Sequence, residues 1–469
     1  MKLNRPLLAL TTALLAPAAL FAAAPVAQAQ SLADALAQVY SNNPTLLAAR
    51  ANLRAVDENV PQALAGWRPS VSISSSAGVA DSQSRLRSDV AGVQTNSTDR
   101  TIYQNSITVT QPIFRGGRTV ASTRRAENQV LAQRARLLAT EQQVLQDTVN
   151  AYVAVIRDQE LLRLNINNEQ VLTEQLRATN ERFRVGEITR TDVAQAESRL
   201  AGARSNRAQS EGNLQIARAT FQRLVGAAPQ RLQAPQPLRP PVRTAQDAAQ
   251  TAAANNPNVV AALFDEAGAR NAIDVQMSTL LPQVSVQGQG FRNDNATQPN
   301  SRISGSQITA SLTVPIYQGG AEYSAVRQAR QTAQQARQVV DDQRRTVAQT
   351  ATQAWEQLQA SKAQVDSVRA QIRAAEIALD GVQREAIVGS RTTLDVLNAE
   401  QELLNARTSL VQALATVVSQ SYALAATVGR LTAADLGLAV DTYDMRAYYN
   451  EVRNRWVGLG DYSGVAERR

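Results

Sequence analysis

The sequence predicts an α+β chain in which one unit, a pair of β-strands followed by a very long helical hairpin, is written twice. Three observations carry that reading. Short motifs recur at a fixed offset, with Val185 and Val388, and Asp192 and Asp395, each 203 positions apart. Four short stretches alternate polar and apolar residues, the period of a strand. Residues 118–185 contain no Gly or Pro, and residues 321–388 contain only Gly381, as long uninterrupted helices require.

The elements follow in chain order. Lys2 and Arg5 precede an apolar run from Leu7 to Ala24, and Ala27-Gln28-Ala29 offers a cleavage site, so residues 1–29 read as a secretory signal. No Cys follows that run, which excludes a lipid anchor on cysteine. The first copy, 30–231, begins with a helical segment broken at Asn42-Asn43-Pro44 and ending near Trp67. A strand at about 69–80 sets Val71, Ile73, Ala77 and Val79 against serines and Gly78. A second, at about 102–112, sets Ile107 and Val109 against Gln104, Ser106 and Thr108. The polar residues 81–100 between them read as a hairpin loop.

After Gly116-Gly117 comes a helical hairpin over 118–226, turning at Val185-Gly186. Four prolines make residues 232–243 a linker. The second copy, 244–431, repeats this order. Asn255-Asn256-Pro257 opens it, strands fall at about 283–291 and 306–315 around a loop at 292–301, and Gly319-Gly320 precedes a hairpin over 321–429. Upstream of the strands the offset becomes 213, so ten extra residues fall between Pro69 and Pro112 and are expected to lengthen the first loop. Leu131, Leu138, Leu145 and Tyr152 recur every seven residues, as do Leu397, Leu404, Val411 and Val418, the spacing of coiled-coil seams. At the hairpin turns Gly186 and Gly389 supply helix ends, and Thr189 to Asp192 and Thr392 to Asp395 have the spacing of capping boxes. The tail, 432–469, carries Trp456 and several tyrosines; the sequence leaves open whether it packs on the helices or stays partly unfolded.

Composition narrows the function. The chain has no His and no Cys, which removes the usual acid/base switch, thiolate nucleophiles and the commonest metal ligands. It holds no Gly-rich phosphate loop and no Gly-x-Ser-x-Gly, so no catalytic residue, metal or cofactor is expected, and the chain is read as not an enzyme. Without the signal it has 46 basic and 40 acidic residues, scattered along helices, and only 4% aromatics, so no nucleic-acid partner is expected.

Four strands on a secreted chain raise a geometric problem. No run of ~18 continuous apolar residues follows the signal, so no spanning helix is expected. Strands cross a bilayer only in a closed barrel, at ~9–11 residues per crossing, and the smallest such barrels need about eight strands. Several copies must therefore share one barrel, with the serines, threonines and glutamines toward a wet lumen.

Across essentially its whole mature length the chain resembles the TolC family of outer-membrane exit ducts. The resemblance rests on Asn-Asn-Pro, Pro112-Ile-Phe-Arg-Gly-Gly117, Pro315-Ile-Tyr-Gln-Gly-Gly320, Arg182-Phe-Arg-Val-Gly186 with Thr191-Asp192, and Val388-Gly389 through Arg391 to Asp395-Val-Leu397. It implies a homotrimer in the bacterial outer membrane, whose shared twelve-stranded antiparallel β-barrel continues into a coiled-coil periplasmic tunnel roughly 100 Å long. It implies export of small molecules, as in drug efflux, or of proteins, as in type I secretion. The expected partners are a periplasmic adaptor, an inner-membrane pump or ABC exporter, and outer-membrane lipid. It points to Val185, Gly186, Val388 and Gly389 as adaptor contacts. It points also to Arg391 reaching Thr191 and Asp192 to close the tunnel, and to Asp395 as a ring acid at the constriction. Two departures stand out: Ala386 replaces an aromatic partner of that closure, and Asn398 replaces a second ring acid. A trimeric coiled-coil adhesin or autotransporter is the rival reading. Such a protein would set its barrel at one terminus, whereas here strands and helices interleave twice.

Overall fold

The computed structural model describes residues 30–88, 90, 92–460 and 464, so the signal read over residues 1–29 lies outside them. The Asn-Asn-Pro motif shows how local chemistry starts each copy. Helix α1 (Leu32–Asn42), opened by a Ser31–Asp34 capping box, gives way to α2 (Pro44–Asp57) because Pro44 lacks an N–H and suits a first helical turn. Asn43 Oδ1 accepts the Thr45 N–H at 2.9 Å, while its Nδ2 donates to the Leu224 carbonyl, also at 2.9 Å. The second copy repeats both bonds: Asn256 Oδ1 accepts from Asn258 and its Nδ2 donates to Thr427 O, each at 2.9 Å. One side chain thus caps a helix and ties it to the far end of its own hairpin.

A short α3 (Asn59–Leu64) leads to β1 (Ser70–Ser88) and β2 (Gly92–Arg115), then to α4 (Arg118–Arg184) and α5 (Arg190–Val225). The second copy has α6 (Ala245–Asn255), α7 (Pro257–Met277), β3 (Gln283–Asp294), β4 (Arg302–Thr313), α8 (Ala321–Ile387) and α9 (Thr393–Thr427). The strands form one antiparallel sheet in the order β1-β2-β3-β4, so β1 and β4 are open edges.

The stretch 81–100, read as a loop, is strand: β1 and β2 pair from Ser70↔Thr110 out to Ser88↔Gly92. β2 meets β3 only as far as Tyr103↔Asp294. The ten extra residues of the first copy therefore lengthen a two-stranded ribbon that projects past the sheet. Its side chains show no polar/apolar alternation because both of its faces meet water, and backbone pairing alone makes it a strand.

Partners across an antiparallel sheet share a face. Rows Phe114–Val284–Leu312, Gln111–Val286–Ala310, Val71–Val109–Gly288–Ile308 and Ile73–Ile107–Gly290–Ser306 make one largely apolar face. From Val284 to Gly290 along β3 they span about 20 Å, most of the ~25 Å apolar band of a membrane barrel. The next row outward on that face, Ser75–Asn105–Arg292–Ser304, is polar. On the opposite face Ser74, Ser76, Gln104, Ser106, Gln289, Asn293 and Gln307 line a polar groove, and Gln307 Nε2 donates to Gln289 Oε1 at 2.9 Å.

The two long helices, 67 residues each, reach roughly 100 Å at 1.5 Å per residue. Along α8 the buried residues Val326, Ala333, Val340, Val347, Ala354, Ser361, Val368 and Ala375 recur at every seventh position. That seam of small side chains lets helices approach closely. In α9 the buried stripe is Leu403, Ala406, Ala413 and Val417, so of the expected series Leu404 and Val411 are only half-buried. The largest core lies where α1, α4, α5 and α9 meet, around Tyr152 and Phe221. The Tyr152 hydroxyl lies 2.8 Å from the carbonyls of both Gln30 and Gln233, and burial pushes its pKa up to about 12. Among the described residues one helix, α9, is long and apolar enough to cross a bilayer by length and composition, although it holds no continuous apolar run of that length. Its buried Ala413, Val417 and Leu424 share a core with Val347, Ala351, Ala354 and Leu358 of α8, so that side is used within the bundle.

The two hairpins end in Gly226 (φ 85°) and Gly429 (φ 80°), backbone angles that strain any other residue by about 1–2 kcal/mol. A Cβ on Gly226 meets nothing within 4 Å, whereas one on Gly429 comes to 2.8 Å from the Asn255 carbonyl oxygen. Gly429→Ala should therefore lower the thermal midpoint more than Gly226→Ala. Equal losses in a melting experiment would contradict the close approach.

Candidate functional site

Both hairpin turns lie at the end of the shaft remote from the strands, and each is built by the same local rules. Gly186 (φ 80°) and Gly389 (φ 82°) reverse the chain. Glu187 N donates to Arg182 O at 2.9 Å and Ser390 N to Glu385 O at 3.0 Å, satisfying carbonyls left over by the helix ends. Asp192 then accepts the Thr189 N–H and hydroxyl, and Asp395 accepts those of Thr392, so both capping boxes form. The Thr189 hydroxyl, then its backbone N–H, hold the Asp192 carboxyl below its usual range. For Asp395 the Thr392 N–H leads, then the hydroxyl, with Arg391 adding to it. Val185 and Val388 are each 78% exposed and Ile387 also stands bare, so the two turns present an apolar tip.

Arg391 does not make the contacts the family resemblance implies. Its Nε donates to Glu385 Oε2 at 2.8 Å, within its own turn. Among the described residues no hydrogen bond or ion pair joins it to Thr191 or Asp192. The reason is local: Glu385 is a nearer acceptor, and Asp192 Oδ2 is engaged by Thr189.

The second-copy hairpin (α8–α9) is joined to the first-copy hairpin (α4–α5) slightly further up the shaft. Leu397, 2% exposed, inserts from α9 among Leu172 and Leu176 of α4 and Leu200 and Ala203 of α5. Arg199 Nη2 donates to Asn398 Oδ1 at 2.9 Å. Gln175 Nε2 donates to Glu400 Oε1 at 3.3 Å, while Glu400 Oε2 is buried without a partner. Burial pushes the Glu400 pKa up, and the Gln175 bond only partly offsets it. Asn398, first noticed as a missing acid, is therefore an acceptor in an inter-hairpin clamp. Arg199, Gln175 and Glu400 were not singled out as gating residues. The duplication holds the one available signal: Glu400 repeats Glu197, yet Glu197 is exposed.

Comparison with known proteins places this geometry. The family model for outer membrane efflux proteins matches residues 35–227 and 248–430, which are the two copies. The outer membrane efflux protein BepC of Brucella suis biovar 1 (strain 1330) is 35% identical over 438 residues, covering 92% of each chain. The outer membrane protein TolC of Escherichia coli (strain K12) is 25% identical over 433 residues, covering 88% of this chain and 84% of that one. The solved Campylobacter jejuni CmeC outer membrane channel superposes with a TM-score of 0.76 at 16% identity, covering 90% of this chain and 89% of that one. The strand–shaft architecture is thus that of an outer-membrane channel-tunnel reaching into the periplasm, and the adhesin reading is set aside. With both copies matched by the family model and a relative sharing more than a third of its residues, the chain belongs to the outer membrane efflux protein family.

Proposed function

We infer that three copies of this chain assemble one duct through which cargo leaves the periplasm, with the sheets closing as a shared barrel and the hairpins as a shaft. The observation that carries this reading is the sheet. Four strands with two open edges cannot seal a membrane, yet one face exposes an apolar band about 20 Å tall and the other face is polar. Three chains give about twelve strands, enough for a water-filled lumen. Heat-modifiable migration of the extracted protein, followed by conductance in a planar bilayer, tests it. A monomer that never conducts would refute it.

The apolar tip formed by Val185, Gly186, Val388 and Gly389, with Ile387, is read as the docking surface for a periplasmic adaptor that couples the duct to an inner-membrane pump or exporter. Specificity for cargo then belongs to the pump. The constriction is assigned to the same end. Asp395 supplies one carboxylate per chain there, and Asn398 adds none, so cations are held less firmly than by paired acids. Thr191 and Asp192 shape the outer turn. Arg391 braces the inner turn through Glu385. The clamp of Leu397, Arg199–Asn398 and Gln175–Glu400 holds the hairpins together, and its release opens the mouth.

Glu400 gives that clamp a pH dependence. Burial disfavours its charged form, so the clamp is tightest where Glu400 is protonated and loosens as pH rises through the raised pKa. Conductance of the wild-type duct should increase from acid to neutral pH. Glu400→Gln, which keeps an acceptor for Gln175 without the charge, should remain low and flat across the same range. An identical pH profile in both proteins would contradict the assignment.

A further inference from the structure

We propose that the C-terminal segment is a membrane-surface strap, which seats Trp456, Val457 and Leu459 in the phospholipid headgroup region at the shaft end of the barrel. The segment is anchored along its length. Arg50 lies between the rings of Tyr40 and Tyr443, at 4.6 and 5.2 Å from their centroids. Helix α10 (Ala447–Val452) follows, where Tyr448 Oη donates to Glu58 at 2.8 Å and Arg453 Nη2 to Glu127 at 3.1 Å. Val452 is 2% exposed, and Tyr443, Met445 and Tyr449 are half-buried against the helices, so up to this point the strap packs on the protein. Beyond it the pattern reverses: Trp456 is 67% and Val457 88% exposed, and Leu459 is fully exposed.

The fold fixes the depth of these three residues. Arg68 Nη1 donates to the Arg455 carbonyl at 2.5 Å, and its guanidinium lies 5.1 Å from the centre of the Trp456 ring. Arg68 stands two residues before β1 begins at Ser70. Gln111 Nε2 of β2 donates to the Trp67 carbonyl at 2.9 Å, fixing this neighbourhood to the sheet. The strap therefore ends at the rim where the apolar band starts, beside the exposed Trp67, Phe114 and Leu281. Continuity with that lipid-facing surface selects the occupant. An indole with an apolar body and a polar edge suits the headgroup boundary, and Arg68 beside it suits lipid phosphates.

The inference rests on the outer-membrane placement, which the conductance of the same sample checks separately. The test uses the full chain with Trp67→Phe and Trp355→Phe, leaving Trp456 as the sole tryptophan. The protein is reconstituted in vesicles of phosphatidylethanolamine and phosphatidylglycerol carrying brominated acyl chains. The strap predicts quenching of Trp456 that is stronger for bromines near the headgroup than for deep ones. No quenching in conducting vesicles, as when a neighbouring copy covers the indole, would overturn it. A second measurement uses Trp456→Ser with Leu459→Ser. Heat dissociation of the oligomer should occur at lower temperature in vesicles and be unchanged in detergent; equal behaviour in both would also overturn the strap.

Discussion

Leu397→Asp should convert the duct into a leak. Leu397 is the buried centre of the contact between the α8–α9 and α4–α5 hairpins. Truncating such a leucine typically costs about 2–5 kcal/mol, and placing a carboxylate there adds the penalty of an unpaired buried charge. Every chain of the oligomer carries the change, so the clamped arrangement loses that amount once per chain, more than enough to reverse a two-state equilibrium of a few kcal/mol. Cells should become sensitive to antibiotics too large for the intact outer membrane, and single-channel conductance should rise several-fold. Arg199→Ala should act in the same direction but more weakly, since its bond to Asn398 is exposed to water. Arg391→Ser should have the smaller effect of loosening one turn. If Leu397→Asp conducts like wild type, the clamp is not the gate.

A second large effect is expected on the sheet, and it separates its two faces. Ile308 is 85% exposed on the apolar face, opposite Gly288, while its neighbour Gln307 lies on the polar face opposite Gln289. Arginine on the lipid side near mid-membrane costs about 2–4 kcal/mol per copy, whereas the lumen side is already wet. Ile308→Arg should therefore abolish insertion and leave little oligomer in the outer membrane. Gln307→Arg should insert normally and shift ion selectivity toward anions. Insertion of Ile308→Arg with loss of Gln307→Arg would mean the faces are assigned the wrong way round, and comparable insertion would contradict a lipid-facing side.

Much of this architecture was legible because it is local. A glycine with positive φ, a Thr–Asp capping box and an Asn followed by Pro specify turns and helix starts within four residues, and the duplication displays each twice. Alternation revealed the strands only where one face meets lipid. In the ribbon beyond Gly78 and Tyr103 both faces meet water, the alternation disappears, and polar residues that look like a loop are paired strand. The heptad series expected in α9 holds at its ends, Leu397 and Val418, and fails between them. Small side chains such as Ala406 and Ala413 carry its buried seam, while the larger Leu404 and Val411 stand half out of it.

The clamp was illegible for a different reason. Arg199 and Asn398 are 199 residues apart and Gln175 and Glu400 are 225 apart, and nothing near either residue advertises its partner. Glu197 and Glu400 are the same residue at the same place in the repeat. Only packing makes one a solvated charge and the other a buried acid. Arg391 shows a related effect: within one chain it bonds to Glu385, an acceptor in its own turn, rather than to Thr191 or Asp192.

One chain brings too few strands to close a wall, and we propose that the working duct is three chains around one lumen. Native mass spectrometry of protein extracted gently from outer membranes tests it most directly. A single dominant species of three chain masses, which also conducts when reconstituted, is expected. A conducting species of one chain mass, or of two, would contradict it.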